Sequence, residues 1–347
     1  MRMEEIARMA KVSIATVSRV MHDSPLVSKR TANRVRSVME KARYFPNNTA
    51  TSLKSGISHI YGLIIPDITN PFFPELVKAF ESIAVNKNKE ILLANSDFHP
   101  DGMRLSIRRM LTRQVEGIAL LVSEVSAETA ESLRKNRIPV VTFDRRQTGR
   151  GMSDVEIDNW PGLDQAIAHL KRLRHTRIAY IGGTPGEPVT DHRFRAFVRA
   201  LKKHDLVFYQ EFFRTGDWRI HGGEAAMADL LSRQHLPTAI FGVNDLTAIG
   251  AMRIIRENGY SVPEDFSVMG FDDIDFTQLF VPTITTVELS RQELARTFFQ
   301  ALEHFDRHAD KPGKQYAVKT HLVVRQSTGR ARKQLKIRLG VAKRGLS

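Results

Sequence analysis

From Ile60 onward, short apolar runs alternate with longer amphipathic stretches, and this alternation limits the fold more than any other feature of the chain. HIYGLIIP, EILLANS, GIALLV and IPVVTFD are apolar without a polar face, so they read as strands buried on both sides. Residues 74–86 and 103–114 between them carry helical spacing. RIAYIGG, TAIFGVN and FSVMGFD repeat the scheme, with helices expected near 191–204, 221–232 and 245–258. Parallel strands need crossover helices, so the pattern predicts α/β layering. A break near residues 158–162 divides it into two doubly wound parallel-sheet subdomains. The crevice at the carboxyl ends of such strands is where a small molecule is expected.

The bulk numbers narrow the class. At 347 residues the chain can hold two or three cores, and 42% hydrophobic with 26% charged residues is ordinary globular composition. No apolar run reaches the ~18 residues of a membrane span. MRMEEIARMA carries acids where a signal peptide would be apolar, so a cytoplasmic protein is expected. With no cysteine there is no disulfide framework and no thiolate chemistry. The net charge of +14 is unevenly spread. Residues 1–58 hold 11 Lys/Arg and 4 Asp/Glu, and residues 325–347 hold 8 Lys/Arg and no acid. The 266 residues between them are nearly neutral. Charge confined to the ends points to a dedicated contact with a polyanion.

The basic N-terminal segment contains VSIATVSRV, Val12 to Val20, which looks like a strand by propensity. Strict alternation fails, because Val17 falls on the wrong face. A helix puts Val17, Val20 and Met21 on one stripe, with Ser13 as its N-cap. A helix is therefore expected over residues 14–22, after one over 3–10 and a tight turn, with Ser28 capping a third. That is a helix-turn-helix pattern. The outward face of the second helix carries Ile14, Ala15, Ser18, Arg19 and His22. Small residues let the backbone approach DNA, and the hydroxyls of Ser13, Thr16 and Ser18 can bond phosphates. Arg19 can reach guanine O6 and N7.

FPNNTATSLKSG follows. Pro46 and Asn47 break the third helix, and Asn48 to Lys54 is polar except for Ala50 and Leu53. Too short to be stable alone, it reads either as a plain linker with one stray Leu or as a hinge helix that folds only on DNA. In the second reading Leu53 would wedge between minor-groove base steps, with Asn47, Ala50 and Lys54 as further DNA contacts. In the long body, Asp67, Asn70, Phe72, Phe73, Asp144, Arg145, Asn244, Asp245, Asp272 and Asp273 fall at or just after strand ends. Arg193 opens a helix after the GGTPGEP loop, and Trp218 sits in a loop. Carboxylate, amide and guanidinium groups with a flat aromatic suit a polyhydroxylated ligand.

These residues carry a family resemblance. EEIARMAKVSIATVSRVMH, LVSKRT, RYFPNNTATSLKSG, GLIIPDITNPFF, VEGIALL, IPVVTFDR, FGVNDLTAIGAM, VPEDFSVMGFDD and HLVVRQST occur in one order over residues 3–328. The chain resembles the lactose/galactose-repressor (LacI/GalR) family of bacterial transcription regulators. The resemblance implies a homodimer on a pseudo-palindromic double-stranded operator, with a periplasmic-binding-protein-like core that takes a small effector. It implies that Ile14, Ala15 and Arg19 read base edges and that Leu53 wedges the central step. The effector residues it implies are Phe72, Phe73, Arg193, Trp218, Asn244 and Asp272. The Asn244 and Asp272 pair leans toward a sugar or sugar derivative; a purine or nucleoside corepressor is the alternative. The expected division is a headpiece over 1–45 and a hinge helix with linker over 46–57. The core then runs over 58–328, with an N-subdomain of about 58–158 plus 289–328 and a C-subdomain of about 159–288. Residues 329–347 are expected to be a basic disordered tail rather than a tetramerising helix, since Gly340 and Gly345 oppose the heptad-like spacing of Leu335, Leu339, Ala342 and Leu346. The chain departs from the family pattern in two places: Arg2 stands where a capping Thr is usual, so either the start lies further upstream or the first helix is poorly capped, at a cost of about 1 kcal/mol, and Ala196 replaces a Gly.

Two other classes are weighed. A solute-binding protein shares the body architecture but needs export and has no use for a DNA module. An enzyme finds little support: no HExxH, GxSxG or phosphate loop occurs, and Asp97, His99 and Asp101 in SDFHPDG are only superficially metal-like. No catalytic residue, metal, cofactor or membrane partner is expected.

Overall fold

The computed structural model describes residues 2–21, 24–44, 58–122, 126–186, 188–306, 308 and 310–332. The chain divides into two compact units, Met1–Ser58 and His59–Ser347. His22, Asn47, Ala50, Leu53 and Lys54 lie outside the described residues.

The first unit contains helices α1 (Met3–Met9), α2 (Ile14–Met21) and α3 (Lys29–Lys41). VSIATVSRV is helical despite its β-branched content because Val17 and Val20 are needed inside. They are buried with Ile6, Ala7, Ala10 and Val35. Lys11, at φ 51°, turns the chain between α1 and α2. The Ser13 hydroxyl accepts from the Thr16 N–H at 3.1 Å, satisfying an amide left open at the start of α2. Ser28 does the same for Thr31 at 3.3 Å. Arg2 has no acceptor to offer, and only the other half of a capping box forms, as Glu5 accepts from the Arg2 N–H at 2.8 Å. Replacing the Ser28 cap (S28A) is expected to destabilise α3 by about 1 kcal/mol. Faster hydrogen exchange at the α3 amides, with unchanged exchange in the second unit, would register it.

The second unit is built on two six-stranded sheets. The first contains β1 (Ile60–Ile65), β2 (Glu90–Asn95), β3 (Ile118–Leu120), β4 (Val140–Phe143) and β5 (Met152–Asp158). Helices α4 (Phe72–Asn86), α5 (Pro100–Thr112) and α6 (Ala127–Lys135) make its crossovers. The chain then leaves through α7 (Trp160–Arg172) for the second sheet. There β6 (Ile178–Ile181), α8 (Pro188–Lys203), β7 (Phe213–Arg214), α9 (Ile220–Leu231), β8 (Ala239–Gly242), α10 (Asp245–Glu257), β9 (Ser267–Asp272) and β10 (Thr285–Glu288) follow. Helix α11 (Arg291–Phe305) and β11 (Gln315–Lys319) return to the first sheet, and β12 (His321–Val323) crosses back. The chain thus passes between the sheets three times, near residues 159, 289 and 320.

The strand orders are β2-β1-β3-β4-β5-β11 and β7-β6-β8-β9-β10-β12, parallel throughout except for β12. Each order reverses at its first strand, between β1 and β3 and between β6 and β8. Those are the topological switch points where side chains of diverging loops leave room for a ligand.

Three expectations are corrected. Residues 289–328 do not all belong to the first subdomain: β12 pairs antiparallel with β10, and Ser327 Oγ donates to Val268 O at 2.6 Å. The second sheet would otherwise leave β10 as an open edge. The tail does not begin at residue 329. Gly329 N–H donates to Ser267 Oγ at 2.9 Å and Ala331 N–H to Leu173 O at 2.8 Å, which fixes residues 329–332. Helix α8 starts at Pro188, so Arg193 lies in its second turn rather than opening it.

Candidate functional site

Two groups of expected contact residues fall in the two units, and each is built differently. In the first unit, α2 turns Val17 and Val20 inward and leaves Ile14, Ala15 and Arg19 exposed, with Thr16 and Ser18 half-buried. Ile14 is 48% exposed, an apolar residue with no core function. Ser13 and Thr16 hydroxyls bond each other at 2.9 Å across the helix start. The face carries one cation, two small or apolar side chains and hydroxyls, which is the composition a major-groove helix needs.

In the second unit, the switch points collect charge. Arg193, on α8, is 2% exposed. Its guanidinium stacks 3.5 Å from the centre of the Phe271 ring and 5.3 Å from that of Trp218. Its Nη1 donates to Val243 O, and its Nη2 lies 3.6 Å from Asp272 Oδ1. Its Nε has no hydrogen-bond partner. Asp272 ends β9 at φ 105°, a strained backbone for a residue with a Cβ. Burial pushes its carboxyl up to about 6, against the pull of Arg193 and Arg291, with Glu75 adding to the rise. Beside it, Asp245 is fully buried, accepting from the Thr286 hydroxyl at 2.6 Å and the Ile274 N–H at 2.9 Å. Burial, with Asp272 adding to it, holds that carboxyl well above the usual range.

Asn244 precedes α10 and caps it: its Oδ1 accepts from the Thr247 N–H at 2.9 Å. Its Nδ2 donates to Trp218 O at 2.8 Å. Each end of the amide is therefore engaged once within the protein, and the second Nδ2–H and a spare lone pair on Oδ1 remain for a ligand. Trp218, at φ 65°, lies flat on the backbone of Gly183, where any Cβ would meet the indole at 2.4 Å. Only glycine fits at that position.

The expected residues thus separate. Arg193, Trp218, Asn244 and Asp272 are brought together at the carboxyl ends of β6, β8 and β9. Phe72 and Phe73 open α4 on the other sheet and form an edge-to-face pair with ring centres 5.3 Å apart. Phe72 is 4% exposed and packs into the core, which leaves the half-buried Phe73 as the accessible ring. Asp67 Oδ2 accepts from Arg219 Nη2 at 2.9 Å, and Asp144 Oδ2 lies 3.1 Å from His192 Nδ1. Glu75 accepts from the Asp275 N–H at 3.0 Å and pairs with Arg291 at 3.2 Å. These contacts tie the carboxyl ends of the two sheets across the crevice.

Thr190, His192 and Arg219 did not stand out in the sequence. Thr190 is 7% exposed and its hydroxyl has no partner. It lies beside Gly183 and Trp218, because a Cβ on Gly183 would meet both. The available signal was adjacency: each of the three lies within three residues of Arg193 or Trp218. Asp97, His99 and Asp101 are exposed, and Asp101 pairs with Arg104 at 2.8 Å. No helix among the described residues is long and apolar enough to cross a membrane.

Comparison with known proteins adds to this geometry. Residues 2–47 match the family model described as bacterial regulatory proteins, lacI family, and residues 167–328 match that of a periplasmic binding protein-like domain. The chain is 32% identical to the HTH-type transcriptional repressor CytR of Escherichia coli strain K12 over 85% of its own length and 86% of the relative's. The structure of the Lac repressor dimer bound to operator and an anti-inducer superposes with a TM-score of 0.81 over 95% of this chain and 99% of that one. At 24% identity, that likeness concerns the fold. A LacI family transcriptional regulator from Enterococcus faecium with bound ribose is 29% identical, with a TM-score of 0.70 over 79% of this chain and all of the other.

Proposed function

The chain belongs to the LacI family of bacterial regulatory proteins, and from that premise we propose that it represses transcription at a pseudo-palindromic operator under control of a five-carbon sugar. It is a DNA-binding transcriptional regulator with a small-molecule-responsive core. In the proposed arrangement, a homodimer presents two copies of α2 to successive major grooves in the cytoplasm, and Arg19 supplies the hydrogen-bond readout. The effector occupies the crevice between the two sheets of each core.

The observation that supports the effector reading most is Arg193. Burying a guanidinium is costly unless every donor is used, yet its Nε is left without a partner, as is the hydroxyl of Thr190 three residues earlier on the same helix. A polyhydroxylated ring offers acceptors to both, accepts a stacking face from Trp218, and donates a hydroxyl to Asp272. Ribose in the Enterococcus faecium relative favours a pentose over a larger sugar. A nucleoside is the second reading, favoured by the half-buried Phe73 ring, on which a base could stack.

The switch follows from the crossings. Three chain passes allow the sheets to rotate relative to each other while the Asp67–Arg219 and Asp144–His192 contacts form or break. An effector that binds one arrangement better shifts DNA affinity by its differential affinity, typically ~1–3 kcal/mol. The test is a gel-shift titration of DNA selected by the protein, followed by D-ribose, other pentoses, hexoses and nucleosides. A shift altered by a pentose supports the reading, a shift altered only by nucleosides supports the second, and no specific shift overturns the DNA assignment.

Two further outcomes are expected. Thr190→Val keeps the shape and removes the hydroxyl, so effector affinity should fall about 5- to 10-fold with operator affinity unchanged; Thr190→Ser should restore it. Affinity should also depend on pH. The Asp272 carboxyl titrates near 6 in the folded chain, above its ordinary value. Ionising it therefore costs stability as pH rises from about 4 through 6. A ligand that donates to the carboxylate recovers that cost, so its affinity should rise about tenfold from pH 5 to pH 7 by calorimetry. A flat profile would detach Asp272 from the ligand.

A further inference from the structure

At the opposite, amino-terminal ends of β6 and β8 lies a cavity of about 260 Å³. It is lined by four arginines, Arg174, Arg177, Arg330 and Arg332, with Thr176 and Thr238 between them. Ligands of doubly wound sheets sit at the strands' carboxyl ends, so this cavity is not part of the crevice described above. We propose that it is a second ligand site, for a phosphate group borne by a small molecule or free in solution.

The frame is fixed. Arg174 follows α7 at φ 68°, a left-handed turn that lifts the chain toward β6. The next residue, His175, is 2% exposed and anchors the wall. Its Nδ1 lies 2.9 Å from the Thr238 hydroxyl, and its Nε2 lies 2.9 Å from both Gly329 O and Ser267 Oγ. The Ala331 N–H donates to Leu173 O at 2.8 Å, so the two arginines flanking Ala331 are carried by a tethered segment rather than a free end.

The charges around the cavity are not balanced. Arg332 pairs with Asp265, the single carboxylate in ion-pair contact with any of the four among the described residues. Arg177 spends its Nε on Leu236 O at 3.0 Å and keeps both terminal nitrogens. Arg174 and Arg330 are exposed and make no ion pair or hydrogen bond through their side chains among the described residues. The charges of four arginines around one cavity repel each other, and an anion held there turns that repulsion into attraction. Planar guanidinium forks match the oxygens of a phosphate in pairs, and the threonine hydroxyls add neutral donors. The volume holds a phosphoryl group and a few further atoms; drug-sized ligands need about 300–1,000 Å³.

The test uses the full chain at fixed ionic strength, titrated with inorganic phosphate, D-ribose 5-phosphate and D-ribose, and followed by calorimetry and ³¹P line width. Wild type is expected to bind inorganic phosphate saturably, and the double variant R174Q/R330Q to bind it at least 10-fold more weakly. Arg193→Leu, in the other crevice, should leave phosphate binding unchanged. Tighter binding of D-ribose 5-phosphate than of phosphate, lost in the same double variant, would identify an ester as the ligand; equal binding would identify the free ion. Absence of saturation in wild type, or equal binding by the double variant, overturns the site. So does a double variant that keeps phosphate but loses salt-dependent affinity for random DNA, since the arginines would then be a DNA-backbone surface.

Discussion

Arg193→Leu is expected to abolish the response to effector while leaving operator binding by the unliganded protein within a few-fold of wild type. The guanidinium is the centre of its cluster, stacked between Phe271 and Trp218 and facing Asp272. Removing one member of a buried charge pair costs about 2–5 kcal/mol of binding, which is a loss of at least 30-fold and up to several thousand-fold. The variant should still fold, because Asp272 has an escape. Arg193 is the largest influence holding that carboxyl down against burial, and without it the group moves further toward its neutral, protonated form instead of remaining a bare charge. The same argument predicts non-additivity. In an Asp272→Asn background, the Arg193→Leu step should cost clearly less than in wild type. Calorimetry with the effector found by titration, beside a thermal melt, checks both. Full effector affinity in R193L would remove the cluster from the binding site.

Arg19→Gln should have the second largest effect, at the other site. Arg19 is exposed on α2 and no other residue of that outward face can donate two hydrogen bonds to one base. Ile14 and Ala15 offer only apolar contact, as to a thymine methyl. The loss is expected to be about 1–3 kcal/mol on the selected operator and much less on random DNA, so the specificity ratio falls with the affinity. Ser18→Ala, which removes a hydroxyl suited to a phosphate, should weaken both DNAs alike. Fluorescence anisotropy at one salt concentration separates the two patterns. Equal losses on both DNAs for R19Q would make Arg19 a backbone contact.

Much of the architecture was legible because it rests on periodicity. The central strands β1, β3, β4, β6, β8 and β9 are apolar on both faces, so they announce themselves. The helix α2 was legible through Val17, whose position no strand could use. What the sequence concealed was polar and buried. β5 reads MSDVEID, yet Ser153 and Asp154 within it are fully buried. Asp154 accepts from the Thr142 hydroxyl and from the Arg145 and Arg146 N–H groups, so its burial depends on partners near in space rather than on its own hydropathy. β12 is three residues long and pairs only at an edge, which leaves no periodic trace.

The crevice shows the same division. Asn244 and Asp272 at strand ends, Arg193 after a glycine-rich loop and Trp218 in a loop were suggested by residue type, and the fold gathers them. It also assigns Asn244 a capping and tethering duty that composition does not reveal. Thr190 emerges only as a buried hydroxyl without a partner, a property of packing and not of sequence.

The central claim is that one small molecule in the crevice and one DNA on α2 are coupled through the same chain. Coupling of that kind is reciprocal. The most direct measurement is the affinity of the effector for the free protein and for its operator complex, set beside the affinity of the operator with and without saturating effector. Both ratios are expected to equal the same factor, about 5- to 150-fold. Ratios of one for both, with tight binding of each ligand, would contradict that coupling.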